Sequence, residues 1–289
     1  MTPQPTGSPF DRVGIIGLGL MGGSLARSLK TLPSPPHIRA LSDDPLDLER
    51  ALAAGAIDQM AMDAEVFFEG LDLVVYCTPL KATLELLAAH HHRLQATGTV
   101  ITDVVSLKTP ILNRIKALGL HGSFVGSHPM CGGEGSGFSL STEDLFSGAR
   151  VWMVAEGAPL ELVQKVKGFW MAVGARGEVV DASDHDASMV WVSHLPQITA
   201  CALARVLGEA GIRREELGPG GKDMTRLAGS QPGMWRDLLE YAPEILPEAL
   251  GAVEAALAET RRLIQEDRGD EVADIMRRTK EWSEGGTWS

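Results

Sequence analysis

The order of apolar and polar positions divides the chain into two halves. Up to about residue 181, short apolar, β-branched runs alternate with amphipathic stretches, and each change is marked by glycine or proline. Such alternation predicts repeated βα units and a mostly parallel, doubly wound sheet. The predicted strands are 13–16, 37–42, 71–77, 99–103, 123–126, 150–155 and 177–181.

After Ser183 the alternation stops, and apolar positions recur only at helical spacing. One apolar stripe runs from Met189 to Val206 and a longer one from Leu246 to Ile264. We therefore predict an α/β domain over residues 1–181 and an all-helical domain over residues 182–289. The longer stripe is expected either to pack within the chain or to cover a second copy of it.

A glycine motif lies between the first predicted strand and the first helix. Gly17 permits a tight turn, Gly19 allows the backbone to approach a pyrophosphate, and Gly22 lets the helix pack on the strand. In this context the motif predicts a Rossmann-type dinucleotide site, with the anion at the helix N-terminus; the alternative is an ordinary βα turn. The residues predicted to bind the cofactor here are Gly17, Leu18, Gly19, Leu20, Met21 and Gly22.

Composition excludes several classes of function. The net charge of −12 disfavours a nucleic-acid partner. No apolar run approaches the roughly 20 residues that span a bilayer, and the N-terminal residues carry no signal-peptide core. The cysteines show neither disulfide nor metal spacing, and His90-His91-His92 is interpreted as a solvated helix face. We expect a cytoplasmic protein without a metal or a membrane partner.

Four local clusters carry the polar chemistry, and together they point to a family. They read TDVVSLK at 102–108, GSHPMCGGE at 126–134, VSHLP at 192–196, and GGKDMTRLA at 220–228, the last followed closely by SQPGMWRD. The combination resembles the prephenate and arogenate dehydrogenases of tyrosine biosynthesis. The resemblance implies a homodimer with two-domain subunits that oxidises and decarboxylates a cyclohexadienol to a phenol, in a pocket between the domains. This sequence departs from the family at two positions. Val105 stands where the family usually has glycine, and Gly133 stands where many members have threonine.

The resemblance and the residue chemistry suggest a role for each polar group. His128 is predicted to be the base that takes the hydroxyl proton, with Ser106 orienting that hydroxyl. Arg226 is predicted to clamp a carboxylate, and His194, near Pro196 in a bent helix, to bind the other polar end. The further substrate-binding residues are Lys222, Glu134 and Gly133.

Each role has a structural alternative. His128 would instead cap a turn, Ser106 would cap a helix, and His194 would be a core histidine. Lys222, Asp223 and Arg226 would instead form a solvated ion-pair cluster.

The end of the second strand bears on the choice of cofactor. Enzymes that use NAD place an acid about 20 residues after the glycine loop. Here Ser42 stands at that position and Asp43 and Asp44 follow, which would repel a 2′-phosphate, while Arg39 lies inside the strand. We predict NAD rather than NADP, with contacts from Ser42 and Asp43. Cys77 is the last residue of the predicted strand 71–77, and Thr78 and Pro79 follow it. All three are predicted to bind the cofactor at the same edge of the sheet.

The sequence favours a prephenate dehydrogenase. An arogenate dehydrogenase is the nearest alternative, because Glu134 could pair with the substrate amine. A β-hydroxyacid or imine reductase of the same plan is more distant. A nicotinamide-binding redox sensor is the alternative without catalysis.

Overall fold

The computed structural model describes residues 7–133, 135 and 137–288. It confirms the predicted fold class, a Rossmann-like parallel sheet followed by a helix-rich half. The first sheet has five parallel strands in the order β3-β2-β1-β4-β5. These strands are β1 (Arg12–Ile16), β2 (His37–Leu41), β3 (Gln59–Met60), β4 (Leu73–Tyr76) and β5 (Val100–Asp103).

The helices around this sheet begin and end where local chemistry dictates. Asp44 accepts a hydrogen bond from the Leu46 N–H, and Pro45 then starts α2 with a preset φ. Helix α4 is followed by Gly98, which caps its C-terminus in the left-handed conformation with φ of 65°. The helices are α1 (Leu20–Lys30), α2 (Pro45–Ala53), α3 (Ala64–Phe67), α4 (Leu80–Thr97) and α5 (Thr109–Ala117).

The remaining strands form a second, mixed sheet, so the sequence prediction of one mostly parallel sheet needs correction. Strand β6 (Gly126–Pro129) is antiparallel to β7 (Arg150–Val154), which is parallel to β8 (Arg176–Val179). An isolated bridge between Ile101 and Phe124 connects the region before β6 to β5. The run predicted to be extended from Ser123 instead starts in a 3₁₀ turn. Helix α6 (Leu160–Ala172) joins β7 to β8.

The second half is helical, as predicted. Its elements are α7 (Ala182–Met189), α8 (Leu195–Glu209), α9 (Pro219–Thr225), α10 (Pro232–Glu240), α11 (Ile245–Gln265) and α12 (Gly269–Ser283). The chain divides into two compact units, one containing residues up to Met189 together with Arg226–Ala242, and the other containing Val190–Thr225 and Pro243–Ser289. The first unit therefore takes in α7 and α10, beyond the predicted boundary at residue 181.

Burial differs sharply between the two units. In the first unit every residue of β4 is buried, as expected for a central parallel strand. In the second unit α12 has no buried residue, and Leu257 and Ile264 of α11 are 66% and 62% exposed. No helix in the described part of the chain is long and apolar enough to cross a membrane.

Candidate active site

The glycine loop has the geometry that its sequence predicts. Gly17 has φ of 90° and its N–H donates to the Leu41 carbonyl at 2.8 Å. A Cβ at Gly22 would lie 1.9 Å from the Gly17 carbonyl oxygen, so only glycine fits there. Among the described residues, a Cβ at Gly19 would meet only the Gly137 nitrogen, at 4.0 Å. These residues thus leave open space before the N-terminus of α1, where helix N–H groups can receive an anion.

The carboxyl end of β2 presents acidic groups, and the arginine within this strand has other partners. The Arg39 guanidinium donates to the Gln59 side chain and to the carbonyls of Val66, Phe67 and Glu69. These four hydrogen bonds hold the Arg39 guanidinium beside Gln59 and residues 66–69. At the same strand end, the Ser42 hydroxyl accepts from the Asp44 N–H.

The predicted residues after β4 lie beside the glycine loop. A Cβ at Gly17 would approach the Cys77 carbonyl oxygen at 2.8 Å and the Thr78 methyl at 2.9 Å. The Thr78 hydroxyl shares a hydrogen bond with Thr83, and Pro79 precedes α4. Burial raises the pKa of the Cys77 thiol, which therefore stays protonated and unreactive near neutral pH.

His128 lies inside strand β6, whereas the predicted strand 123–126 ends before it and would leave His128 in the following loop. Its backbone pairs with Trp152 of β7, so its Cα is fixed by a sheet. This pairing leaves no support for the alternative that His128 caps a turn. The glycine-rich stretch with Gly132 and Gly133 begins only after the strand.

A buried ion pair fixes the neighbouring residue of β6. The Lys108 ammonium donates to the Asp103 carboxylate and, at 2.7 Å, to the Ser127 carbonyl. Asp103 also accepts from the Ser127 N–H at 3.0 Å. The Ser127 hydroxyl contacts Thr102 and accepts from the Trp170 indole. Both charges are almost fully buried, so each is stabilised by the other and by these backbone hydrogen bonds.

Helix α7 brings two further polar residues to His128. His128 Nδ1 lies 2.9 Å from His185 Nε2, and His185 Nδ1 lies 2.8 Å from Asp186 Oδ1. Asp186 also accepts from the backbone N–H groups of Lys108 and Thr109 at 2.8 Å each. Although burial opposes it, these hydrogen bonds hold the pKa of Asp186 below its usual range.

This arrangement corrects the helix-cap alternative for Ser106. Helix α5 begins at Thr109, with Lys108 as its N-cap residue and no cap from the Lys108 side chain. The Asp186 carboxylate binds the first N–H groups instead. Ser106 is a half-buried residue of the loop after β5, and its role in binding substrate stays a prediction.

The remaining predicted residues differ in exposure. His194 is buried and ends a π-helical turn, Val190–His194, directly before α8; Pro196 follows and lacks the N–H that an α-helical turn would use. Lys222 of α9 and Arg226 after it are exposed, and no ion pair among the described residues includes either of them. Gly133 lies near Leu20, whereas Glu134 lies outside the described residues.

The histidine triplet on α4 is only partly solvated, contrary to the sequence interpretation. His92 is exposed, but His90 is buried, with its ring nitrogen 3.1 Å from the Tyr76 hydroxyl. Burial lowers the pKa of His90 to about 4. Across the described residues, no group of three or more His, Cys, Asp or Glu side chains is placed to hold a metal ion.

Sequence reasoning missed four residues of this region: Asp103, Lys108, His185 and Asp186. The first two stand inside the TDVVSLK motif but received no role. The signal for the other two was a His-Asp pair just before the helical stripes, and nothing local predicts its contact with β6.

Comparison with known proteins identifies relatives along most of the chain. Residues 25–179 match the family model of the prephenate dehydrogenase nucleotide-binding domain, and residues 181–278 match that of the prephenate dehydrogenase dimerization domain.

Two curated relatives and one solved structure agree with this result. A cyclohexadienyl dehydrogenase of Zymomonas mobilis is 28% identical, over 90% of this chain and 91% of its own. A prephenate dehydrogenase of Bacillus subtilis is 27% identical, over 95% of this chain and 76% of its own. The crystal structure of prephenate dehydrogenase from A. aeolicus, in complex with hydroxyphenyl propionate and NAD+, superposes with a TM-score of 0.87. Its identity is 28%, and 95% of this chain and 98% of that chain are covered.

Proposed function

The chain belongs to the prephenate dehydrogenase family, and we propose that it converts prephenate to 4-hydroxyphenylpyruvate by NAD-dependent oxidative decarboxylation. The observation that carries the proposal is the position of His128. Its imidazole belongs to strand β6, joined to the carboxyl end of β5 through Asp103 and Ser127, in the same unit as the glycine loop. Such an imidazole is suited to move a proton near neutral pH.

The charge balance of this reaction assigns His128 two steps. Oxidation removes a hydride and the hydroxyl proton from C4 of the ring, and the ring then loses carbon dioxide and becomes aromatic. The product phenol carries a hydroxyl proton again, so no proton is released overall. His128 takes the proton from the C4 hydroxyl and returns it to the phenolate oxygen. The bound nicotinamide supplies the hydride acceptor.

The other predicted residues receive positioning and binding roles. Ser106 orients the C4 hydroxyl toward His128. Arg226 binds a substrate carboxylate through its planar guanidinium, and His194 and Lys222 bind further polar groups. Gly133 leaves room beside the substrate, and Glu134, outside the described residues, is retained as a specificity residue.

NAD is the proposed cofactor. The glycine loop fits a dinucleotide, because the described residues around Gly19 leave open space at the N-terminus of α1. Asp43 would bind the ribose hydroxyls and repel a 2′-phosphate. The commitment of Arg39 to four partners supports this choice, since it leaves β2 without an arginine for that phosphate.

Arogenate is the competing substrate. The curated Zymomonas relative is named for the cyclohexadienyl class, to which both prephenate and arogenate belong chemically. The two substrates differ only in the side chain, which carries a ketone or an amine. Prephenate is proposed because Arg226 and Lys222 add positive charge for a substrate with two carboxylates and no amine.

One experiment tests these assignments together. Steady-state rates are measured for prephenate and arogenate, each with NAD and with NADP. The expected result is the highest kcat/KM for prephenate with NAD. A higher kcat/KM for arogenate would reassign the substrate, and NAD binding without turnover of either would support a sensor instead of an enzyme.

We propose that the protein works as a homodimer joined through its helical half, with residue 181 as the domain boundary. The second family model, matched from residue 181, is that of a dimerization domain. The apolar residues left exposed on α11 supply the contact surface.

A further inference from the structure

We infer that His185 and Asp186 are positioning residues that keep the proton of neutral His128 on Nδ1. Nε2 of His128 is then the nitrogen that accepts the substrate's proton, a consequence that rests on the proposed function. The inference follows from the order of donors and acceptors along the chain of contacts from Asp186 to His128.

The first group in this series of hydrogen bonds is the Asp186 carboxylate. Asp186 accepts two backbone hydrogen bonds from the start of α5, at 2.8 Å each, and lies 2.8 Å from His185 Nδ1. A carboxylate held ionised by such donors can only accept. His185 Nδ1 must therefore carry a proton that it donates to Asp186.

The proton on His185 Nδ1 decides the next contact. His185 is only 2% exposed, and a neutral ring that carries its proton on Nδ1 has Nε2 as a hydrogen-bond acceptor. This Nε2 lies 2.9 Å from His128 Nδ1, and two acceptors cannot share that distance favourably. His128 Nδ1 must then be the donor, and the lone pair of its neutral ring is on Nε2.

The backbone of β6 keeps this contact in register. The Asp103–Lys108 pair holds the backbone of Ser127, the residue before His128. The Ser127 N–H donates to Asp103, and its carbonyl accepts from Lys108. The same Lys108 donates its backbone N–H to Asp186. One segment of chain therefore anchors both the strand that carries His128 and the carboxylate that orients its partner.

The arrangement also supports the charged state of His128. When Nε2 takes a proton, the ring becomes an imidazolium whose Nδ1–H already points at a neutral acceptor. His185 in turn donates to the Asp186 anion, so both hydrogen bonds strengthen without any rearrangement. The charge is stabilised until the proton returns to the phenolate.

The first test reads the tautomer directly and needs no substrate. Histidine is labelled with ¹⁵N, long-range ¹H–¹⁵N spectra are recorded on the intact protein at a pH where His128 is neutral, and His128→Asn assigns its signals. We expect the Nδ1–H tautomer for His128. A spectrum showing the Nε2–H tautomer would overturn the inference, because His185 would then be the donor. A failure of the proposed enzyme activity would leave this readout unaffected.

The second test perturbs the partner. His185→Phe removes the acceptor and is expected to shift His128 toward the Nε2–H form and to lower kcat about 10-fold or more, with KM and NAD affinity changed far less. His185→Gln, whose carbonyl can accept from Nδ1–H, should recover the tautomer and most of kcat. His92→Phe, at an exposed histidine of α4, is the control. Retention of the tautomer and of kcat in His185→Phe would also overturn the inference.

Discussion

At the scale of single residues, the proposed chemistry depends most on His128. Its backbone is held by β7 and its Nδ1 by His185, so its ring has little freedom to turn. A proton carrier in this setting is fixed before substrate arrives, which lowers the entropic cost of reaching the transition state. Substitution should therefore remove chemistry and leave cofactor binding intact.

We predict that His128→Asn lowers kcat by roughly 100-fold or more, the usual worth of a general base. Steady-state rates and the Kd for NAD are the measurements, and the Kd should change little because the glycine loop is untouched. His92→Asn, at an exposed position, is the matched control. A kcat of His128→Asn within a few-fold of the unmodified protein would contradict the assignment.

Arg226 provides a second test at this scale. Arg226→Ala should raise KM for prephenate about 30-fold or more, as expected for loss of a charge pair that is desolvated when substrate binds. Arg205→Ala removes an exposed arginine of α8 and should leave KM unchanged. If both variants have the KM of the unmodified protein, Arg226 is an ordinary surface residue.

The sequence predicts residues that belong to compact motifs better than residues that act across the fold. His128 and Ser106 are predicted as site residues because they follow predicted strands within recognisable patterns. Asp186 is not, since a histidine-aspartate pair at a helix start reads as a solvated turn. Its role depends on α7 packing near the start of α5, a contact between residues 78 positions apart. The alternative that Ser106 caps α5 is wrong for the same reason, since Asp186 binds the first N–H groups of that helix from a distant position in the sequence.

At the scale of elements, two glycines of the glycine loop are present for different physical reasons. Gly22 is required by packing, since a Cβ there would overlap the Gly17 carbonyl at 1.9 Å. The described residues do not require glycine at position 19, because a Cβ there lies no closer than 4.0 Å to any of them, so we attribute this glycine to the proposed cofactor.

We therefore predict opposite outcomes for two alanine variants. Gly22→Ala should destabilise the fold by about 1–3 kcal/mol and lower Tm, because backbone must shift to make room. Gly19→Ala should keep Tm and weaken NAD binding at least several-fold, because its methyl group lies where the pyrophosphate approaches. Thermal unfolding and NAD titration distinguish them. An unchanged NAD affinity in Gly19→Ala would argue against a cofactor at this loop.

The end of β2 supplies the test of cofactor choice. Asp43→Arg replaces a charge that repels a 2′-phosphate with one that attracts it, so kcat/KM with NADP should rise relative to NAD. Lys81→Glu, at an exposed position of α4, is a charge-change control and should leave the ratio unchanged. A preference of the unmodified protein for NADP would refute the proposal, and an unchanged ratio in Asp43→Arg would remove Asp43 from the ribose contact.

Hydrophobic periodicity predicts most of the elements but not their pairing. The strands β1, β2, β4 and β5 fall within a residue or two of their predicted ranges, because buried parallel strands are short apolar runs. The direction of β6 is not encoded in that pattern. An antiparallel neighbour and a parallel neighbour bury the same residues, so the second sheet could not be distinguished from an extension of the first.

At the scale of the whole molecule, the helical unit buries too little apolar surface to explain its sequence. In α11, Leu246, Ala249 and Leu263 are buried, but the predicted stripe continues through Leu257 and Ile264, which are exposed in the single chain. In α8 the apolar Val206 is 57% exposed. Exposed apolar stripes of this kind mark contacts with another protein surface.

A second copy of the chain is the partner that the matched dimerization domain favours, and a symmetric dimer buries the same stripe twice. We predict that light scattering at micromolar concentration gives the mass of a dimer. Leu257→Lys should place a charge in the contact and shift the equilibrium toward monomer, with a Tm that depends on protein concentration. Met62→Lys, at a residue 80% exposed in the first unit, should remain dimeric. A fully active monomer of 30.9 kDa would reject the dimer and require the stripe on α11 to be covered in another way.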